Sequence, residues 1–83
     1  KMNQTINIEK ADYLDEFRIH FMYEDGKENI IDFKPFIFSS THPDIKKYQN
    51  KNLFKGFSLS YGEIEWNDYE LSFPIADIYQ GKI

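Results

Sequence analysis

A chain of 83 residues, 41% hydrophobic and 18% aromatic, holds one hydrophobic core, since a second would have nothing left to bury. The absence of cysteine excludes a disulfide framework and any thiolate metal site, and fits a reducing cytoplasm. No run approaches the roughly 20 apolar residues of a membrane span, and a net charge of −4 opposes a long duplex nucleic-acid footprint, which needs clustered cations.

The opening Lys1-Met2 suggests a native start at Met2. Residues 1–10 alternate polar and apolar side chains and lack the continuous apolar centre of a signal peptide, so a soluble intracellular protein is expected. Ile6 and Ile8 alternate with Asn7 and Glu9, which predicts a first strand running to Tyr13. Leu14-Asp15-Glu16 then turns the chain. From Phe17 the alternation is clean: Phe17, Ile19, Phe21 and Tyr23 share one face, and Arg18, His20, Met22 and Glu24 share the other.

The next hairpin can be registered by asking which loop keeps apolar residues together. A two-residue loop would set Ile19 opposite Asp32 and turn Ile31 and Phe33 onto the polar face. A three-residue loop, Glu24-Asp25-Gly26 with Gly26 left-handed, pairs Ile19 with Ile31 and Phe17 with Phe33. It also sets Arg18 across from Asp32, an exposed pair worth at most about 1 kcal/mol.

Lys34-Pro35-Phe36 ends the third strand, because proline cannot donate to a ladder. Residues 39–43 predict a loop into a helix with Pro43 at its first position. That helix should run from Asp44 to Gln49, with Ile45 and Tyr48 facing inward. Asn50 caps a second turn, in which Leu53 and Phe54 point inward before Gly56 stops it.

Phe57, Leu59 and Tyr61 alternate with Ser58 and Ser60, Gly62 turns, and Glu63 to Trp66 returns with Ile64 and Trp66 toward the core. After a turn at Asn67-Asp68, Leu71 and Phe73 mark a short last strand. Pro74 opens a final helical turn carrying Ile75, Ile78 and Tyr79, with Gly81 past its end. The whole predicts a two-layer α+β fold of antiparallel hairpins, β-β-β-α-β-β-β-α, with a short helix packed on the sheet. Fifteen aromatic residues, eight Phe, six Tyr and one Trp, suffice for its core at about 150 to 250 Å² buried by each.

The order of these features resembles a small bacterial family, domain of unknown function 2442. The likeness is carried by Phe21 to Gly26, Ile31 to Phe36, Asn52-Leu53-Phe54, Gly62 to Trp66 and Pro74 to Tyr79, and it covers about Ile8 to Tyr79. The chain departs where relatives place proline after the tryptophan, here Asn67, and leucine before the closing tyrosine, here Ile78. The resemblance implies a two-layer α+β fold and genes that often neighbour another small protein in cassettes resembling toxin and antitoxin pairs. Some relatives add a helix-turn-helix, for which this chain leaves no room, so direct DNA reading is not implied.

No residue set assembles into evident chemistry. His20 sits mid-strand and His42 precedes a proline, too few imidazoles for a zinc site without thiolates. Ser39, Ser40 and Thr41 lie near His42 but lack a nucleophile elbow or an oxyanion loop, which makes them loop and capping groups. Glu63 and Glu65 alternate with Ile64 and Trp66 and are expected to face water; Asp68, Glu70 and Asp77 complete the carboxylates that an acid/base pair could draw on. Neither an enzyme nor a cofactor is expected.

Two surface leads remain. Phe36, Ile37 and Phe38 are consecutive, so at least one large side chain is hard to bury, and exposed apolar surface marks interfaces. Residues 44–57 hold Lys46, Lys47, Lys51 and Lys55 against the single acid Asp44, a local charge of +3 in a chain of −4. The first lead predicts a protein–protein interaction module, antitoxin-like or regulatory, that binds a neighbouring small protein or itself as a homodimer, with a terminal cap over the core as the plainer alternative. The second predicts a nucleic-acid-associated accessory, with a solvated helix face as the plainer reading.

Overall fold

The computed structural model describes residues 6–83; the expected start at Met2 lies outside them. Strands β1 (Ile8–Tyr13), β2 (Arg18–Tyr23) and β3 (Glu28–Asp32) form one antiparallel sheet in that order. The hairpin has the three-residue loop: Ile19 faces Ile31 and Arg18 faces Asp32, Tyr23 N–H donates to Lys27 at 2.9 Å, and Gly26 sits at φ +90°. Phe17, Ile19, Phe21 and Tyr23 are all buried. The expected Arg18–Asp32 pair does not form. Arg18 instead bonds Asp15 in the preceding turn, where Glu16 and Phe17 take positive φ, and Asp32 accepts the backbone N–H of Lys34 at 3.0 Å.

The segment after β3 is a helix, α1 (Lys34–Ser39), where only an end of strand was expected. Pro35 stops the ladder and also fits the first turn of a helix, where its missing N–H is not needed. Next come α2 (Pro43–Lys46), a 3₁₀ turn (Lys47–Gln49) and α3 (Lys51–Phe54). His42 Nδ1 caps α2 by accepting from Asp44 N–H at 3.2 Å, and Asn50 Oδ1 caps α3 at 2.9 Å from Asn52 N–H. Tyr48 and Phe54 are buried, but Leu53 is 47% exposed rather than inward. With α3 only one turn long, Leu53 and Phe54 diverge by a helical step.

A second antiparallel sheet contains β4 (Ser58–Ser60), β5 (Glu63–Trp66) and β6 (Leu71–Ser72). Ile64 and Trp66 are buried, whereas Leu59 and Tyr61 on β4 and its turn stay exposed. Glu65 also corrects the sequence reading, being only 7% exposed. The turn after β5 places Asn67, Asp68 and Tyr69 consecutively at positive φ, a conformation that Asn and Asp tolerate but that costs a residue such as Tyr69 about 1–2 kcal/mol. Glu65 Oε1 holds that turn by accepting Tyr69 N–H at 2.9 Å, while Oε2 accepts the Ser60 hydroxyl at 3.3 Å.

The two sheets meet where Ile8 N–H donates to Gly62 at 2.9 Å. Phe33 bridges them, lying within 6.2 Å of the rings of Phe21, Phe54, Trp66 and Phe73. The last helix, α4 (Ile75–Gln80), ends on Gly81 at φ +75°. Asn29 Nδ2 donates to its Ile78 carbonyl at 2.9 Å, and the Tyr79 hydroxyl donates to Asp25 at 2.6 Å, which fastens α4 to the β2–β3 hairpin.

Candidate functional site

Consecutive residues of a helix leave its axis about 100° apart, so α1 separates the three residues that the sequence grouped as one surface. Ile37 is fully buried and leaves the candidate interface for the core. Phe36 is half-buried, its ring edge-on to Phe73 at 5.1 Å. Phe38 is 45% exposed and stands edge-on against the buried Phe17 at 5.2 Å, with Lys34 Nζ 5.7 Å from its ring centre.

Charges of both signs gather beside it. Glu16 accepts from Lys51 Nζ at 2.8 Å and Lys34 Nζ at 3.5 Å, which ties the turn before β2 to α1 and α3. Lys51, and then Lys34, hold the Glu16 carboxyl below its usual range, and Glu16 in turn raises the Lys51 ammonium. Phe38 is thus a large aromatic group, braced from beneath by the core and flanked by charge.

The four candidate lysines do not form a cationic surface of matching strength. Lys47 pairs with Glu70 at 2.6 Å and Lys51 with Glu16, so two of the four meet acids from outside the lysine segment. Lys55 lies 5.2 Å from the Tyr13 ring centre, and Lys46 has no ion pair among the described residues. An ammonium already facing a carboxylate releases few counterions on meeting a phosphate. Glu70 gathers three donors: Lys47, Asn67 Nδ2 at 3.0 Å and the Tyr48 hydroxyl at 2.7 Å. Together they lower its pKa to about 2.

His20 lies 2.6 Å from Glu28 on the outer face of the first sheet. His42 and the nearby hydroxyls serve the backbone: Ser39 donates to the Phe36 carbonyl and Ser40 accepts His42 N–H. Among the described residues no three His, Asp or Glu side chains are placed to hold one metal ion. Nor is any described helix long and apolar enough to cross a membrane.

Three concavities had no reading in the sequence, one of them a groove of about 450 Å³ lined by Ile6, Glu63, Pro74, Ile75 and Tyr79. A second, of about 310 Å³, is lined by Lys47, Tyr48, Asn52, Leu53, Trp66 and Asn67. The third, of about 530 Å³, runs between β3 and residues 79–83, lined by Ile30, Ile31, Phe36 and Ile83 together with Asn29, Asp32 and Gln80. Adjacent Ile30 and Ile31, which put one isoleucine on each face of β3, were its available sequence signal.

The family model described as Protein of unknown function (DUF2442) matches residues 8–83, and the chain belongs to that family. No curated protein and no solved structure matches it.

Proposed function

We propose that this family member is a non-catalytic protein–protein interaction module, an antitoxin-like or regulatory partner of a small protein encoded beside it, and that Phe38 is the anchor of the contact. The observation that carries the reading is the Phe38 ring, 45% exposed on a fully packed core and flanked by Lys34, with Glu16 and Lys51 tied to the same corner. Burying such a ring under a partner gains aromatic area with little further ordering, because Phe17 already braces one edge. The lack of cysteine fits a reducing compartment, and we place the pairing in the cytoplasm.

The nucleic-acid reading is the weaker one, since Lys47 and Lys51 are already engaged by Glu70 and Glu16. Co-expression with the product of the adjacent gene, followed by affinity purification, tests the proposal. A stoichiometric complex that Phe38→Ser disrupts supports it. Failure of the folded wild-type domain to retain that product contradicts it.

A further inference from the structure

Strand β3 lies at the end of its sheet, next to β2 on one side only. Tyr23 N–H donates to the carbonyl of Lys27, and Phe33 N–H to that of Phe17, each at 2.9 Å. Antiparallel alternation then directs the peptide groups of Asn29 and Ile31 toward β2 and those of Glu28, Ile30 and Asp32 away from it. Among the described residues no backbone group donates to or accepts from these three outward positions. Edges of this kind are normally blunted, because they template pairing with another strand.

The side chains along this edge have a definite pattern. Glu28, Ile30 and Asp32 share the outer face, and all are exposed, Ile30 at 53%. Glu28 faces His20, and Asp32 accepts the Lys34 backbone N–H. Neither has a lysine or arginine ion-pair partner among the described residues. Alongside runs the groove of about 530 Å³, in which Ile30, Ile31 and Ile83 are interspersed with Asn29, Asp32 and Gln80.

We propose that the outer edge of β3 accepts, in antiparallel orientation, an extended segment of a partner protein in which basic residues flank an apolar one, alternating as basic-x-apolar-x-basic. Main-chain bonds to Glu28, Ile30 and Asp32 supply the pairing, as in other strand-addition complexes. The alternation sets the apolar side chain opposite Ile30 and the basic ones opposite Glu28 and Asp32. A second copy of this chain is a poor occupant. Symmetric antiparallel pairing centred on Ile30 sets Glu28 against Asp32 twice, and like charges directly opposite are destabilising. This edge is a different surface from the one around Phe38 and stands independently of it.

The test is an amide NMR titration of the intact domain with the blocked pentapeptide lysine-threonine-isoleucine-threonine-lysine. The proposal expects shifts centred on residues 28–32, affinity about tenfold weaker for the version with glutamate at both ends, and reversal of that preference in Glu28→Lys plus Asp32→Lys. N-methylation of the central isoleucine removes a main-chain donor aimed at β3 and abolishes binding, whereas N-methylation of the second threonine leaves it intact. Phe38→Ser also leaves it intact, which separates this proposal from the preceding one. Absent or misplaced shifts, equal binding of both peptides, indifference to the isoleucine methyl, or a free domain that dimerises through residues 28–32 would each overturn it.

Discussion

The indole N–H of Trp66 donates to the backbone carbonyl of Phe54 at 2.7 Å, while the two side-chain rings stack with their centres 5.4 Å apart. One residue of the second sheet thereby packs on α3 and also satisfies one of the carbonyls at its end. Trp66→Phe retains much of the ring burial but orphans that carbonyl, so it should cost about 1–3 kcal/mol in urea unfolding. Trp66→Ala also opens a cavity and should cost about 3–5 kcal/mol.

Gly26 and Gly62 both sit at positive φ, but their surroundings differ. A Cβ at Gly26 meets nothing within 4 Å, whereas at Gly62 it falls 2.5 Å from the Asn7 side chain. Gly26→Ala should therefore cost about 1 kcal/mol from backbone strain alone. Gly62→Ala should cost visibly more, because Asn7 must move from the junction where Asn7 O accepts Glu24 N–H and Ile8 bonds Gly62. Thermal unfolding of the two variants under identical conditions checks the order.

Glu70 titrates near 2, well below the ordinary 4.5, because Lys47, Asn67 and Tyr48 all donate to its carboxylate. Its folded pKa lies below its unfolded one, so its stabilisation is fully present above about pH 4.5. The contribution disappears as pH falls toward 2. Glu16 and Asp25, lowered by Lys51 and Tyr79 respectively, act with the same sign. Glu70→Gln should unfold at lower urea than wild type at pH 7, and the two midpoints should converge as pH approaches 2.

Lys46 and Lys47 are neighbours in sequence with different fates in the fold. Lys47→Glu sets a carboxylate beside Glu70 and should lower the melting temperature at low salt, with partial recovery as salt rises. Lys46→Glu breaks no ion pair among the described residues and should change stability by no more than about 0.5 kcal/mol.

Where one principle governed alone, the sequence was legible. Apolar alternation and Gly26 determined the β2–β3 hairpin, and Asn50 and Gly81 marked helix ends through cap chemistry. Where two principles competed, it was not. Pro35 terminates a strand and equally opens a helix, so α1 read as an end of strand, and Phe36 to Phe38 read as one surface when helical geometry sends Ile37 into the core. Glu65 read as solvent-facing because its need for burial arises downstream, in the left-handed run at residues 67–69. Arg18 found Asp15 nearer than Asp32, since the tight turn before β2 folds back on the strand. The ion pairs that neutralise the lysine segment join residues 23 and 35 apart and had no local signature.

If Phe38 anchors a partner, calorimetric titration of the adjacent gene's product into wild-type and Phe38→Ser domains should separate the two proteins. Phe38→Ser, with an unchanged amide NMR dispersion, should weaken binding by more than about tenfold. Equal affinities for the two proteins, or no heat of binding to a folded wild-type domain confirmed by a second binding assay, would contradict it.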